Sequence, residues 1–314
     1  MSSKIPIIRN VSVLCCSLLA LLAGCTVTTS SSTLASTATP ALPTATAIVP
    51  TTTPSPTATA NAAPQAQVNF AFNEVTIPSG SQVHAQVSCP SGTTLLGGGY
   101  GINTSVSSLV QADDSYPLNA TTWVIDTRQG APETLDVHIE AECLQANFAT
   151  TAQIMHASTN ADGATVVATC PAGTLPSGGG YQAANGQTIA SIPLSTGWKF
   201  INAGLPGGSA YAVTAYAVCV SGTPLTAHSI EQQAVSIAGN DATKGIYVAC
   251  PTGTLTTGGG FDGSAALNLE GFILFGNNSG TNGPLQHPQG WGVVAENQIY
   301  ATKSAPIYAV CLGY

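Results

Sequence analysis

The sequence predicts an all-β protein built from three tandem, disulfide-stapled, β-sandwich-like repeats, and three observations carry that expectation. The first is a recurring unit. Cys89-Pro-Ser-Gly-Thr leads to Gly97-Gly98-Gly99-Tyr100, Cys170-Pro-Ala-Gly-Thr to Gly178-Gly179-Gly180-Tyr181, and Cys250-Pro-Thr-Gly-Thr to Gly258-Gly259-Gly260-Phe261, at spacings of 81 and then 80 residues. The second is composition: residues 65–314 are rich in Gly, Val, Ala and Thr and contain no long stretch of helical periodicity. The third is cysteine usage, two per unit in a chain that opens with an export signal, which points to a disulfide framework.

In chain order, Lys4 and Arg9 form a positive start, Val11 to Leu22 an apolar run, and Leu22-Ala23-Gly24-Cys25 closes it. That order is a secretory signal. The run is shorter than the roughly 20 residues needed to cross a hydrocarbon core. Its ending resembles the lipobox of bacterial lipoproteins, in which the cysteine accepts a diacylglyceryl group before cleavage. The resemblance implies a signal peptide over 1–24, lipidation of Cys25, and a mature protein held to the membrane and facing outward. Each buried methylene contributes about 0.8 kcal/mol, so two or three acyl chains give a durable anchor. Cys15 and Cys16 would leave with the signal, and Thr26 provides no acidic retention residue.

Residues 26–64 contain no charge and are mostly Thr, Ser, Ala and Pro. Such a segment buries too little apolar surface to offset ordering, so 25–64 is expected to be the lipidated cysteine and a disordered stalk. Fully extended as polyproline II, at about 3.1 Å per residue, it would reach on the order of 120 Å.

The repeats are placed at 65–147, 148–224 and 225–314. Each carries a proline (Pro117, Pro193, Pro284), then a tryptophan (Trp123, Trp198, Trp291), then a closing cysteine (Cys143, Cys219, Cys311). The repeat singles out the local pairings Cys89 with Cys143, Cys170 with Cys219, and Cys250 with Cys311. Zinc ligation is disfavoured, since no Cys-x-x-Cys occurs. Leu135, Val137, Ile139, Ala141 and Cys143 alternate with Asp136, His138, Glu140 and Glu142, which places the cysteine on the apolar face of a strand. Tyr216 with Val218, and Tyr308 with Val310, stand where repeat 1 has acids. That face is therefore expected to be covered in repeats 2 and 3 and wet in repeat 1.

The unit, from Cys-Pro-x-Gly-Thr through Gly-Gly-Gly-aromatic and Trp to Ala-x-Cys, resembles a repeat of exported bacterial proteins for which no activity is established. Thr122 departs from the glycine that this pattern has before tryptophan. A more distant likeness is to the egg vitelline membrane outer layer protein, a three-repeat β-prism with shorter units. It implies the alternative architecture, one pseudo-threefold prism.

The triple glycine is followed by an aromatic and strand-like sequence rather than by Lys-Ser/Thr or a helix, so a bulge or close crossing beneath a ring is expected and a phosphate loop is not. One tryptophan per unit, at fixed spacing from a cysteine, is expected in the core; Trp123-Val-Ile-Asp alternates accordingly. Asp113 and Asp114, near Asp126 and His138, form the one dense polar group. It is read as a solvated acidic edge that blocks aggregation, with Ca²⁺ binding as the rival. The histidines at 84, 138, 156, 228 and 287 have no metal-ligand spacing, and Gly-x-Ser-x-Gly is absent. No catalytic, metal or cofactor residue is assigned. The net charge of −8 becomes −10 once Lys4 and Arg9 are removed, with eight acids against Arg128 in repeat 1, and no basic face exists for nucleic acid. The expected function is a non-catalytic surface lipoprotein that binds a glycan, an envelope component or a surface. The alternatives are a self-associating structural envelope protein and, less favoured, a hydrolase centred on Asp113, Asp114 and Asp126.

Overall fold

A computed structural model of the chain describes residues 63–102, 110–129, 134–161, 163–183, 187–203, 212–225, 228–238, 244–263, 272–278, 290–297 and 302–314. Cys25, the signal segment and all but the last two residues of the stalk lie outside them. Among the described residues there are eighteen strands and no helix, so the all-β class holds.

Six strands fall in each repeat. Repeat 1 has β1 (Ala66–Ile77), β2 (Gln82–Ser88), β3 (Thr94–Ile102), β4 (Val110–Asn119), β5 (Thr122–Gln129) and β6 (Leu135–Ala146). Repeat 2 has β7 (Thr151–Thr159), β8 (Thr165–Thr169), β9 (Leu175–Ala183), β10 (Gln187–Leu194), β11 (Gly197–Ala203) and β12 (Val213–Ser221). Repeat 3 has β13 (His228–Ile237), β14 (Lys244–Ala249), β15 (Leu255–Asp262), β16 (Phe272–Asn278), β17 (Gly290–Asn297) and β18 (Lys303–Leu312).

Within each repeat two three-stranded layers form, for example β1-β6-β3 and β2-β5-β4, so each unit is sandwich-like. The layers continue into neighbours. The three sheets run β1-β6-β3-β16-β17-β14, β2-β5-β4-β9-β12-β7 and β13-β18-β15-β10-β11-β8. Repeat 1 thus joins repeat 2 through β4 and β9, repeat 2 joins repeat 3 through β10 and β15, and repeat 3 returns to repeat 1 through β16 and β3. The three sandwich-like repeats are thus tied together by shared sheets, the feature expected of the prism-like alternative, and cluster as one compact unit, Ala60–Tyr314. Small apolar repeats near 80 residues have little core of their own; extending each sheet across the joint buries both sides of it.

The repeated motifs each have a local cause. Pro90, Pro171 and Pro251 open tight turns in which the threonine three residues on donates its N–H to the proline carbonyl at 3.2, 3.2 and 3.1 Å. Its hydroxyl donates to the same oxygen at 2.7, 2.8 and 2.7 Å. Gly92, Gly173 and Gly253 take the third position of these turns at φ of 83°, 83° and 85°, which only glycine adopts without strain. Cys89–Cys143, Cys170–Cys219 and Cys250–Cys311 are bonded, the three local pairings the repeat predicts. Trp123, Trp198 and Trp291 are at most 1% exposed, and each shares a core cluster with the disulfide cysteines of its repeat. Trp123 and Trp198 donate Nε1–H to Ser115 Oγ at 3.1 Å and Ser191 Oγ at 2.8 Å. By pairing register Asn277 holds the corresponding place in repeat 3, opposite Tyr100 as Ser115 is opposite Tyr181. Pro284 lies outside the described residues.

The triple glycine does form a bulge, at Leu96, Ser177 and Thr257, where one residue is skipped in pairing with β6, β12 and β18. A Cβ on the second glycine would strike the tryptophan ring, at 2.4 Å for Gly98, 2.3 Å for Gly179 and 2.1 Å for Gly259. The first glycines stack on one another across repeats: a Cβ on Gly178 would lie 2.7 Å from the Gly97 Cα, and one on Gly258 3.0 Å from the Gly178 Cα. The third lets the next repeat's strand approach, with Ser115 O at 2.1 Å from such a Cβ on Gly180 and Ser191 O at 2.0 Å from one on Gly260.

Two expectations are corrected. The outer face of β6 is wet only at its start, at Asp136 and part-exposed His138: Glu140 and Glu142 are 0% exposed, buried as fully as Val218 and Val310, while Tyr216 and Tyr308 on the matching faces are only half-buried. Periodicity within one strand does not register that the glycine strands of the other repeats close over this face. Asp113 and Asp114 do not sit on an edge either, since β4 is paired on both sides, to β5 and β9.

Candidate functional site

The joint between repeats 1 and 2 brings the polar chemistry of repeat 1 against aromatic residues of repeat 2. Along the sheet, Gln86, Val124, Tyr116, Gly180, Tyr216 and His156 occupy one row, each in register with the next or placed by its neighbours' register. Residues opposite one another on adjacent strands point to one face, here the face away from the tryptophan cores. Gly180 leaves the centre of that row without a side chain. Tyr116 and Tyr216 lean across it and stack with ring centroids 5.0 Å apart at 26°, and His156 flanks Tyr216 at 6.0 Å. The two tyrosines are half-buried and His156 is exposed.

The adjacent row is polar: His84, Asp126, Asp114, Gln182, Thr214 and Ser158. His84 Nδ1 and Asp126 Oδ1 are 2.8 Å apart. Asp114 Oδ1 accepts the Ala183 N–H at 2.8 Å, a bond across the joint. The bulge in β4 at Asp113 turns that carboxylate to Arg128, whose Nη2 lies 2.9 Å away. The Tyr216 hydroxyl donates to Gln182 Oε1, and Ser158 and Thr214 hydroxyls share a 2.8 Å bond.

Burial chiefly raises the Asp114 carboxyl to about 6, against the Ala183 N–H that lowers it, with the hydrogen-bonded Asp126 adding to the rise. Asp114 therefore holds its proton into weakly acidic pH, well above the usual carboxylate range. Burial also raises Asp113, despite Arg128, and pushes the Tyr216 phenol up to about 12. The tyrosines are neutral donors and acceptors over the whole physiological range.

His138, expected beside the aspartates, stands instead on the first sheet, stacked on Phe72 at 5.2 Å and 3.9 Å from Glu74. His84, Arg128 and Gln182 take its place around them. The signal for this assembly was the third glycine of the triplet: a strand position without a side chain is where neighbouring side chains can meet. Among the described residues no group of three or more His, Cys, Asp or Glu is placed to hold a metal ion, and no helix is long and apolar enough to cross a membrane. The tryptophans are core residues and offer no stacking surface to a ligand. No protein-family model matches this chain, and no curated protein is significantly similar to it.

Proposed function

We propose that this chain is a non-catalytic, lipid-anchored surface protein that binds an uncharged, hydroxyl-rich glycan of the cell envelope at the joint of repeats 1 and 2. The observation that carries the reading is the row Tyr116, Gly180, Tyr216 and His156 beside Asp114, Gln182 and Asp126. Apolar ring surface flanked by amide and carboxylate groups is the chemistry that holds sugar hydroxyls by hydrogen bonds while covering their C–H faces. A net charge of −8 over the whole sequence disfavours polyanionic partners. The Leu-Ala-Gly-Cys sequence, the uncharged stalk and the three disulfides fit an outward-facing location, with the stalk as spacer.

The 65–314 fragment contains all three disulfides and cores, so it is the material for a glycan array and a cell-wall pulldown. Binding that Tyr216→Ala weakens at least tenfold supports the reading. Absence of binding together with self-association would replace it by the structural envelope role. The hydrogen-bonded Asp114–Asp126 pair is the one feature that favours a hydrolase. Hydrolysis of a released glycan that is abolished by Asp114→Asn and Asp126→Asn would establish that alternative. Anchoring is tested separately: Cys25→Ser is expected to abolish acylation and release the chain or leave it unprocessed.

A further inference from the structure

The bulges that precede the glycine triplets leave one carbonyl per repeat outside the strand pairing, and the three meet where the repeats join. Two are capped by the next repeat's bulge residue. Ser177 Oγ donates to Leu96 O at 2.7 Å, and Thr257 Oγ1 donates to Ser177 O at 2.8 Å. The cycle calls for a hydroxyl at position 96 to cap Thr257 O, and position 96 is leucine. At this joint repeat 1 also departs from its siblings on the neighbouring strand. Glu142 pairs with Gly97 where Val218 pairs with Gly178 and Val310 with Gly258. Glu142 Oε2 and Thr257 O both lie 2.6 Å from the point a Cβ on Gly97 would occupy, so the carboxyl and this carbonyl flank the same vacant side-chain position. Glu142 is fully buried, and among the described residues no side chain or other strand offers a hydrogen-bond donor to either of its oxygens; its own backbone N–H is the one group that favours the charged form.

We propose that Glu142 is a neutral carboxylic acid that donates its proton to the carbonyl of Thr257, replacing the hydroxyl absent at Leu96 and closing the ring of repeats by a proton-dependent bond. A carboxylate there would face another acceptor with no donor beyond its own backbone N–H, at most of the desolvation cost of a buried charge. The acid form turns the same contact into a hydrogen bond. Burial first, and the charge of Glu140 second, hold the Glu142 proton well above the usual carboxylate range. Glu140 is the titratable group that faces it from its own strand. β1 brings Phe70 opposite it, and the other strands at this point bring Leu96 and Gly97, Ser177 and Gly178, and Thr257 and Gly258, none of which ionises. The joint of repeats 3 and 1 is thereby pH-sensitive.

The folded chain holds this proton at a pH where the unfolded chain has released it. Stability from Glu142 is therefore complete below the unfolded value near 4.3 and falls as pH rises toward the folded one. The test is denaturant unfolding of the intact chain across pH, against Glu142→Gln, whose amide donates without titrating. The wild-type unfolding constant is expected to rise relative to the variant's, by up to about tenfold per pH unit from roughly pH 5 upward. Infrared spectra of the folded wild type at neutral pH should show a protonated-carboxyl band that the variant lacks. Equal pH slopes and no lost band would overturn the proposal. Should Glu142→Gln not fold, Leu96→Thr combined with Glu142→Val rebuilds the chemistry of the other two joints. It is expected to be more stable than Glu142→Val alone, and equal stability of the two would also overturn the proposal.

Discussion

Gly179→Ala probes the packing on which the whole ring depends. A methyl at position 179 would sit 2.3 Å from Trp198 Cδ2 and Cγ and 2.5 Å from Tyr216 O, whereas ordinary contact begins at 3.4 Å. The ring would have to move by about 1.1 Å, the difference between those distances, or the strand pair would have to part. Trp198 is 0% exposed and fixed by a 2.8 Å bond from Nε1 to Ser191 Oγ, so such a shift strains the core and breaks a buried hydrogen bond. Overpacking costs about 1–3 kcal/mol and the lost bond about 1 kcal/mol, giving roughly 3 kcal/mol in total. Gly259→Ala meets Trp291 equally closely, yet among the described residues Trp291 Nε1 has no hydrogen-bond partner to lose. It should cost about 1 kcal/mol less. Gly173→Ala, in a turn with nothing within 4 Å, carries only the strain of its positive φ, about 1 kcal/mol. Guanidinium unfolding of the 65–314 fragment, with near-ultraviolet circular dichroism for tryptophan packing, ranks the three. A Gly179→Ala cost no larger than that of Gly173→Ala would refute the reasoning.

Further outcomes follow from the same contacts. Removing one disulfide, as in Cys170→Ser with Cys219→Ser, frees a segment spanning 49 residues and should cost about 4 kcal/mol on the chain-entropy account; non-reducing peptide mapping should recover three local pairs, and a cross-repeat pair would contradict the fold. Asp114, raised to about 6 in the folded chain, keeps its proton longer there than when unfolded. Its contribution is thus complete below about pH 4 and lost as pH rises through about 6. Asp114→Asn should flatten stability against pH over that interval, and an unchanged slope in denaturation midpoints would count against the assigned proton.

Much of this fold was legible because the repeat made each inference three times over. Spacing to the cysteines marked the disulfides and placed the tryptophans in the core, and the absence of a following helix marked the glycines as a bulge. What stayed hidden lies between repeats. The joints β4 to β9, β10 to β15 and β16 to β3 are made over glycines and backbone oxygens, which have no side-chain pattern to read. Glu140 and Glu142 alternate with apolar residues as on a solvated strand; they are buried by partners some 100 residues away in the chain. The candidate site shows the same division. Asp113, Asp114 and Asp126 stood out as a polar group, but Tyr116 and Tyr216 meet only because Gly180 separates their strands.

The central claim is that the tyrosine row at the joint of repeats 1 and 2 is the binding face. Nuclear magnetic resonance titration of the 65–314 fragment with soluble neutral fragments of the cell-wall glycan tests it most directly. Saturable shifts at Tyr116, Gly180, Gln182, Tyr216 and His156, lost in Tyr216→Ala while the tryptophan indole signals stay in place, are the predicted result. Shifts confined to another face, or none at saturating glycan, would contradict it.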